Sequence, residues 1–283
     1  MPGPCTHQHR GGSGEPLVLI HGIGSTWRVW TPIIEALERR HEVFAISLPG
    51  YGESPPLAGE PTVPALVDAV EEEMDAAGLD TAHLAGNSLG GWITAELARR
   101  GRARSAIAID PAGLWTPKEL AYSVRSLRNS VAMARRLAPY AERLNRSSLV
   151  RTLLMGQVQA RGWRSDPEEA AYALRAYAGS PSFKATREWI HRNRAMPEGL
   201  DRIRSPFLVI WGSWDFLLPV RQAARWARIV PGAELRVLPR LGHVPMADDP
   251  ELVSEIVLEF TSRHGDGQPA RREEAETEAS AAR

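Results

Sequence analysis

Gly86-Asn87-Ser88-Leu89-Gly90 has the spacing G-x-S-x-G, follows a short apolar run and precedes a stretch whose apolar residues have helical spacing. A serine in that context projects from a sharp, strained turn between a strand and a helix, with its hydroxyl exposed for attack. Side chains two residues away on either side would collide with neighbouring elements, which explains Gly86 and Gly90. The pattern therefore predicts Ser88 as a nucleophile on a strand-to-helix turn; a glycine-rich turn without chemistry is the alternative.

Short apolar runs and longer stretches with helical spacing alternate on both sides of this turn. Each run is bounded by Gly, Pro, Asp or His, as is typical of buried parallel strands. Alternating strands and helices predict an α/β fold, a sheet covered by helices on both faces. The predicted strands are residues 17–21, 43–48, 82–86, 106–110, 206–211 and 235–238; the predicted helices are 27–40, 63–78, 89–100, 220–229 and 250–263.

The middle of the chain departs from this alternation. Apolar residues recur every three or four positions between residues 118 and 158, and no strand pattern interrupts them. The segment from Ala112 to Arg204 also holds 17 basic and 8 acidic residues, although the whole chain is balanced at 34 of each. We therefore expect an inserted unit of amphipathic helices after the fourth of these strands.

The composition excludes several classes of protein. The equal numbers of basic and acidic residues argue against a nucleic-acid-binding surface, and 43% apolar residues argue against a disordered chain. The apolar runs are far shorter than the roughly 20 residues that span a bilayer, so no integral membrane protein is expected. The N-terminus has no secretory signal pattern, which favours the cytoplasm, and the single Cys5 cannot form an internal disulfide.

The sequence also favours chemistry without a cofactor or a metal. It has neither a dinucleotide-binding fingerprint nor a phosphate-binding loop motif. His7 and His9 lie near the N-terminus without the spacing of a metal site, and we attribute them to chance. We therefore expect no cofactor.

A second glycine-rich turn, His21-Gly22-Ile23-Gly24, follows the first of these apolar runs. Its glycines allow the chain to double back beneath the serine and to present the backbone N–H of Ile23. Together with the N–H of Leu89, directly after the serine, it would form an oxyanion hole. The alternative is a simple strand-to-helix turn in which His21 packs in the core.

Two later loops supply the remaining groups that a serine nucleophile needs. A serine hydroxyl requires an imidazole base, and the imidazole requires a carboxylate that holds its tautomer. Asp215 ends the motif W-G-S-W-D and His243 lies in G-H-V-P, each just after a late apolar run. The order Ser88, Asp215, His243 therefore predicts a catalytic triad.

Other acidic residues compete for these roles. Asp110 ends the fourth predicted strand and is an alternative partner of His243, although the motif favours Asp215. Asp248 and Asp249 precede Pro250, which suits the first position of a helix, so both are expected to cap the last helix.

These four motifs, in this order, resemble the α/β-hydrolase family over residues from about Glu15 to Arg263. The resemblance implies an eight-stranded, mostly parallel sheet with an inserted helical cap. It also implies Ser88 as nucleophile, His243 as base, Asp215 as acid, and the N–H groups of Ile23 and Leu89 as oxyanion donors. Only about 15 residues precede the strand before His21, so the antiparallel edge is expected to be reduced to residues 6–10 or absent.

The expected organisation follows from these motifs and from the composition. Residues 1–14 are expected to be a flexible N-terminus or a reduced edge strand, and residues 15–112 and 204–264 form the hydrolase core. Residues 113–203 form the helical cap, and 265–283 form a disordered tail rich in Glu, Ala and Arg.

The nucleophile type narrows the reaction. Serine argues against the haloalkane dehalogenase and epoxide hydrolase branches, which the resemblance implies use aspartate, and leaves an acyl-enzyme route to ester hydrolysis. The elbow G-N-S-L-G-G also resembles that of the meta-cleavage-product hydrolases, so cleavage of a carbon–carbon bond in a vinylogous diketo acid is the alternative. A receptor-like member that binds a ligand with slow or no turnover is a third possibility.

The expected partner is a small-molecule ester or related carbonyl compound, and the oligomeric state is left open. Aromatic and apolar cap residues suggest a mainly apolar pocket. The candidates for its lining are Trp115, Trp163, Trp189 and Met155. Cap arginines that could bind a substrate carboxylate, if they are not solvated, are Arg125, Arg128, Arg187 and Arg192.

Overall fold

A computed structural model describes residues 7–265 of the chain and contains a single seven-stranded sheet within that range. Its strand order is β1-β3-β2-β4-β5-β6-β7, and all neighbours are parallel except β1 and β3. This arrangement confirms the α/β-hydrolase fold expected from the sequence. The strands are β1 (Gln8–Gly12), β2 (Glu15–Ile20), β3 (His41–Ile46), β4 (Ala82–Asn87), β5 (Ala103–Ile109), β6 (Phe207–Gly212) and β7 (Glu234–Leu238).

Helices connect the strands and cover both faces of the sheet. Short 3-10 turns precede α1 and α9, so the helix predicted at 27–40 is divided at the start of α1. The α-helices are α1 (Thr31–Glu38), α2 (Val63–Ala76), α3 (Leu89–Arg99), α4 (Pro117–Leu137), α5 (Ala141–Asn145), α6 (Ser148–Met155), α7 (Pro167–Gly179), α8 (Ser182–Asn193), α9 (Ala223–Ile229), α10 (Pro245–Asp248) and α11 (Pro250–Ser262).

The core has two layers, one on each face of the sheet. Along β2, Leu17 and Leu19 pack with α1 and α11, whereas Val18 and Ile20 pack with α2 and α3. Successive strand side chains point to opposite faces, so a strand buried on both faces must be apolar throughout. This explains the continuous apolar run in the sequence.

The edge strand β1 differs in detail from the expectation. It pairs antiparallel with β3, from Gln8 opposite Ile46 to Gly12 opposite Glu42, and so lies two residues later than the predicted residues 6–10. The described sheet has seven strands rather than the eight that the resemblance implies. An ion pair between Arg10 and Glu42 ties β1 to β3 across the exposed edge. Cys5 and the tail from residue 266 onward lie outside the described residues.

The five helices α4–α8 lie between β5 and β6, and we call residues 117–193 the helical insertion. Small residues allow close packing of its helices, with Ala134, Ala141 and Ala171 buried against Leu174. The insertion begins at a capping box in which Thr116 and Glu119 bond each other's backbone N–H groups.

Glu119 also fastens the insertion to the core. The side chain is 3% exposed and accepts hydrogen bonds from Arg225 at 2.7 and 2.8 Å and from Arg221 at 2.6 Å. Burial alone would raise the pKa of Glu119, but the N–H of Thr116 and the two guanidinium groups outweigh it and lower the pKa to about 2. The carboxylate therefore stays ionised.

Among the described residues, none of the helices has both the length and the apolar character that a bilayer span requires.

Candidate active site

Ser88 occupies the turn between β4 and α3 in a strained backbone conformation. Its φ is 58° and its ψ is −116°, and the residue is 5% exposed. Its N–H donates to the carbonyl of Ile109 at 2.9 Å, and its own carbonyl accepts from Trp92 and Ala112 at 3.2 and 3.0 Å. These bonds hold a conformation that a non-glycine residue adopts at a cost of roughly 1–3 kcal/mol. A strained backbone conformation that surrounding hydrogen bonds maintain is characteristic of functional sites.

Steric constraints explain why residues 86 and 90 of the turn are glycines. A Cβ at Gly86 would lie inside van der Waals contact with the carbonyl of Gly90, and a Cβ at Gly90 would collide with the carbonyl of Ile20. Backbone atoms cannot move aside as a flexible side chain could, so any larger residue would displace the turn.

His243 and Asp215 form a buried hydrogen-bonded pair. The Nδ1 of His243 lies 2.6 Å from the Oδ2 of Asp215, and both side chains are nearly inaccessible to solvent. The other carboxylate oxygen accepts the backbone N–H groups of Leu217 and Leu218 at 2.8 and 2.7 Å. Because the carboxylate can only accept, the imidazole carries its proton on Nδ1, and Nε2 is left as the basic nitrogen.

Asn87 connects the serine turn to the histidine loop. Its amide donates to the carbonyl oxygens of His243 at 2.9 Å and Ile109 at 3.2 Å. Ser88 Oγ and His243 are not hydrogen-bonded to each other within residues 7–265. Such contacts are often long in unliganded enzymes and shorten when substrate binds.

The turn after β2 lies directly beside the serine. A Cβ placed on Gly22 would be 2.9 Å from the Cβ of Ser88, and Ile23 lines the same pocket as Ser88 and Leu89. Leu89 is the first residue of α3, so its N–H has no acceptor within the helix. Both backbone positions expected to donate to an oxyanion therefore flank Ser88.

His21 supports this turn from within the core. Its Nδ1 donates to the carbonyl of Gly22 at 2.7 Å, and its Nε2 accepts the N–H of Leu48 at 2.9 Å. Burial lowers the pKa of His21 to about 4, so the ring is neutral near pH 7. Further along the turn, Gly24 has a φ of 79°, a region that disfavours side chains.

Asp110 lies beside the pair but bonds elsewhere. It follows β5 with a φ of 45°, is fully buried, and accepts the N–H of Gly212 at 2.9 Å through Oδ1. Burial, followed by repulsion from the Asp215 carboxylate, raises the pKa of Asp110 well above its ordinary value. The raised pKa favours the protonated carboxyl, which has a proton to donate toward the neighbouring carboxylate. The imidazole of His243 is bonded to Asp215, not to the alternative acid.

One atom each of Asp110, Asp215 and His243 lies within 4.8 Å of the others, a spacing that could suit a metal ion. The contacts argue for a different use. A metal stands roughly 2.0–2.2 Å from its nitrogen and oxygen ligands, so an ion between Asp215 and His243 would have to break their 2.6 Å hydrogen bond. The donor set therefore fits a hydrogen-bonded imidazole–carboxylate pair better than an ion.

The expectation that Asp248 caps the last helix is wrong. Asp249 alone caps α11, through the N–H of Leu252. Asp248 is fully buried and accepts the N–H of Gly242 at 2.7 Å, together with those of Ala160 and Arg161 at 2.9 and 2.7 Å. It thus joins the histidine loop to the helical insertion, a contact between segments about 88 positions apart that no local pattern indicates.

The pocket that contains Ser88 is mainly apolar. Trp115 lines it as expected, but Trp163 is 52% exposed and lies elsewhere, as do Trp189 and Met155. The connection after α6 carries Trp163 toward solvent. Besides Ser88, Ile23 and Leu89, the lining consists of Ala112, Trp115, Leu120, Ser123, Val124, Leu127, Arg187, Ile190, Leu217 and Leu218.

The four arginines singled out from the sequence have different surroundings. Arg125, Arg128 and Arg192 are exposed, and Arg192 pairs with Glu60. Arg187 is 8% exposed and lines the pocket.

Several known proteins are similar to this chain. A relative from Mycobacterium tuberculosis, the epoxide hydrolase EphH, is 32% identical over 204 residues, which cover 69% of this chain and 92% of the relative. A pimeloyl-(acyl-carrier protein) methyl ester esterase from Aeromonas hydrophila is 29% identical over 89% of this chain and 97% of its own. The crystal structure of a bacterial membrane phospholipase A superposes with a TM-score of 0.75 and 27% identity, covering 92% of this chain and 83% of that one.

A model of the alpha/beta hydrolase family matches residues 17–256, which include the serine turn and both loops of the buried pair. Because the model matches most of its length, this chain belongs to the alpha/beta hydrolase family.

Proposed function

We propose that this protein is a serine hydrolase that cleaves a carboxylic ester of a small to medium, mainly apolar substrate through an acyl-enzyme. The observation that carries the proposal is the strained Ser88, with φ of 58°, at the wall of an apolar pocket. The buried pair of His243 and Asp215, with a separation of 2.6 Å, supplies the base. Asn87 ties the loop that carries His243 to the turn that carries Ser88.

In the proposed reaction, the Oγ of Ser88 attacks the ester carbonyl carbon while the Nε2 of His243 takes the hydroxyl proton. Asp215 stabilises the imidazolium through the proton on Nδ1. The backbone N–H groups of Ile23 and Leu89 bind the oxyanion. As the tetrahedral intermediate collapses, the C–O bond breaks and the alcohol leaves with the proton from His243. A water molecule then repeats the sequence and releases the acid.

In this proposal the helical insertion serves as the cap expected at residues 113–203 and covers the substrate pocket. Leu120, Val124 and Leu127 of α4, and Ile190 of α8, supply apolar lining opposite the sheet. Apolar burial of this kind favours a hydrocarbon portion of the substrate.

The nucleophile favours an ester over an epoxide, although one relative is named an epoxide hydrolase. A carboxylate that opens an epoxide forms an ester, which water can cleave. Ser88 would form an ether, which water does not cleave under these conditions, and the enzyme would stop after one turnover.

The test is hydrolysis of a p-nitrophenyl ester series, together with labelling by a fluorophosphonate and mass spectrometry. We expect turnover by the wild type, label on Ser88, and a loss of several decades in kcat for Ser88→Ala and His243→Ala. Ser254→Ala, which alters a buried serine of α11 that is not among the pocket-lining residues, is the control and retains activity and labelling.

Other outcomes would identify the alternatives. Labelling of Ser88 without ester turnover would point to carbon–carbon cleavage, which vinylogous diketo acids would then reveal. Absence of labelling in a folded protein would contradict the serine mechanism and favour a ligand-binding member of the family.

A further inference from the structure

Arg187 of α8 is a buried cation without a good partner among residues 7–265. Its side chain is 9% exposed, and its Nε has no hydrogen-bond partner. Glu188 comes within 3.5 Å, but it makes no hydrogen bond with Arg187, is half-exposed, and also approaches Lys184 at 3.9 Å. A buried charge with so weak a partner is costly, and an anion bound beside Arg187 would offset that cost.

A second buried arginine of the helical insertion, Arg151, has different surroundings from Arg187. Arg151 of α6 is 6% exposed, and its guanidinium donates to the backbone carbonyls of Asn145, Arg146 and Trp163. Those bonds fasten one turn of the helical insertion, and they give Arg151 a structural role. Arg187 makes no comparable set of bonds within the described chain.

The position of Arg187 indicates where the opposite charge would come from. Arg187 lines the same pocket as Ser88, and its remaining neighbours there include the apolar Val124 and Leu127. The ring of Phe183 lies 5.8 Å from its guanidinium carbon. An anion bound to Arg187 would therefore belong to a molecule that also reaches Ser88.

We propose that Arg187 binds a free carboxylate of the substrate, so that the physiological substrate is an ester that also bears a carboxylate, such as a half-ester of a dicarboxylic acid. This inference rests on the proposed ester hydrolysis for the position of the reacting carbonyl. A guanidinium matches a carboxylate with two parallel hydrogen bonds, and the mainly apolar lining of the same pocket suits a hydrocarbon spacer.

The kinetic test compares monomethyl adipate with the uncharged dimethyl adipate, by methanol release. We expect kcat/KM of the wild type to be about ten- to a hundredfold higher for the anionic ester, the range of a charge-assisted hydrogen bond. Arg187→Met removes that preference and retains hydrolysis of the neutral ester. Arg192→Met, which removes an exposed arginine of the same helix, is the matched control and leaves the preference unchanged.

Two further readouts separate a binding role from a structural one. Arg187→Met should not lower the thermal midpoint, because it removes a buried charge that the half-exposed Glu188 compensates only weakly. Adipate should bind Ser88→Ala, measured by calorimetry, and should bind at least tenfold more weakly when Arg187→Met is added. A lower midpoint with equal losses on both esters would overturn the proposal in favour of a structural arginine.

The calorimetry also distinguishes failure of this inference from failure of the proposed function. If the wild type hydrolyses neither ester but adipate binding depends on Arg187, the carboxylate site stands and the ester reaction does not. If esters are hydrolysed without preference for the anionic one, and adipate binds equally with and without Arg187, the reaction stands and the carboxylate site is refuted.

Discussion

The side-chain amide of Asn87 donates a hydrogen bond of 2.9 Å to the carbonyl oxygen of His243, across 156 residues of sequence. The same amide donates to the carbonyl of Ile109, at the end of β5. One side chain therefore connects the serine turn, the neighbouring strand and the histidine loop. The proposed nucleophile and its base are held in register by a group that touches neither reacting atom.

This link predicts a graded effect of substitution. Asn87→Ala should lower kcat about tenfold and the free energy of unfolding by about 1–3 kcal/mol, since the carbonyl of His243 loses its bond from Asn87 and that of Ile109 retains only the N–H of Ser88. Asn87→Asp should be worse on both counts, because its carboxylate would face two carbonyl oxygens. Ester kinetics and urea unfolding measure the two effects, and equal values for Asn87→Ala and the wild type would refute the link.

The two buried aspartates should respond differently to the same substitution. Asp215→Asn removes the acceptor of the His243 Nδ1 proton and should lower kcat by roughly a thousandfold to ten-thousandfold. Asp110→Asn should leave kcat within about threefold, because an amide reproduces a neutral carboxyl that accepts from Gly212. Ester hydrolysis by both variants decides the matter, and the reverse result would make Asp110 the catalytic acid.

Asp110 should also make stability depend on pH. An unfolded aspartate ionises near pH 3.9, whereas burial and the Asp215 carboxylate raise the pKa of folded Asp110. Between these pKa values the unfolded state gains by ionising, so the wild type loses stability as the pH rises, by at most about 1.4 kcal/mol per unit.

Asp110→Asn removes this loss. Its advantage over the wild type in free energy of unfolding should be small near pH 4 and grow as the pH rises above it, as measured by urea titrations at several pH values. Asp201→Asn, on the exposed turn before β6, is the control for removing a carboxylate elsewhere. A constant difference across this range would contradict a raised pKa.

Glu119 should have the opposite pH dependence. Its pKa is lowered to about 2, so its contribution to stability is complete above the unfolded value near 4.3 and is lost as the pH falls toward 2. Glu119→Gln should lower the free energy of unfolding by about 3 kcal/mol at pH 7, the lower end of the range for breaking a buried pair, because Arg221 is 68% exposed.

The matched control for Glu119 is Glu142→Gln, which breaks an ion pair with Arg175 on the same insertion. Glu142 is 79% exposed, and loss of such a surface pair should cost less than about 0.5 kcal/mol. Thermal or urea unfolding at pH 7 and pH 3 measures both variants. Equal costs for the two would show that Glu119 does not fasten the insertion to the core.

Much of the fold could be predicted because its signals are short-range. The apolar run of β2 reports burial on both faces, and the glycines around Ser88 report a turn with no room for side chains. The ends of the strands are harder to predict from the sequence. β5 begins at Ala103, three residues before its apolar run, because its polar Ser105 is satisfied by a hydrogen bond to His83 of β4.

The sequence by itself determined the alternating fold, the turn that carries Ser88 and the order of the candidate triad, since periodicity and glycine sterics act within a few residues. Only the tertiary structure decided that Asp248 joins two distant segments, that Asn87 holds the His243 loop, and that one arginine of four is buried in the pocket. Those outcomes depend on which elements pack together, and a helix carries the same arginine whether that face meets solvent or a pocket.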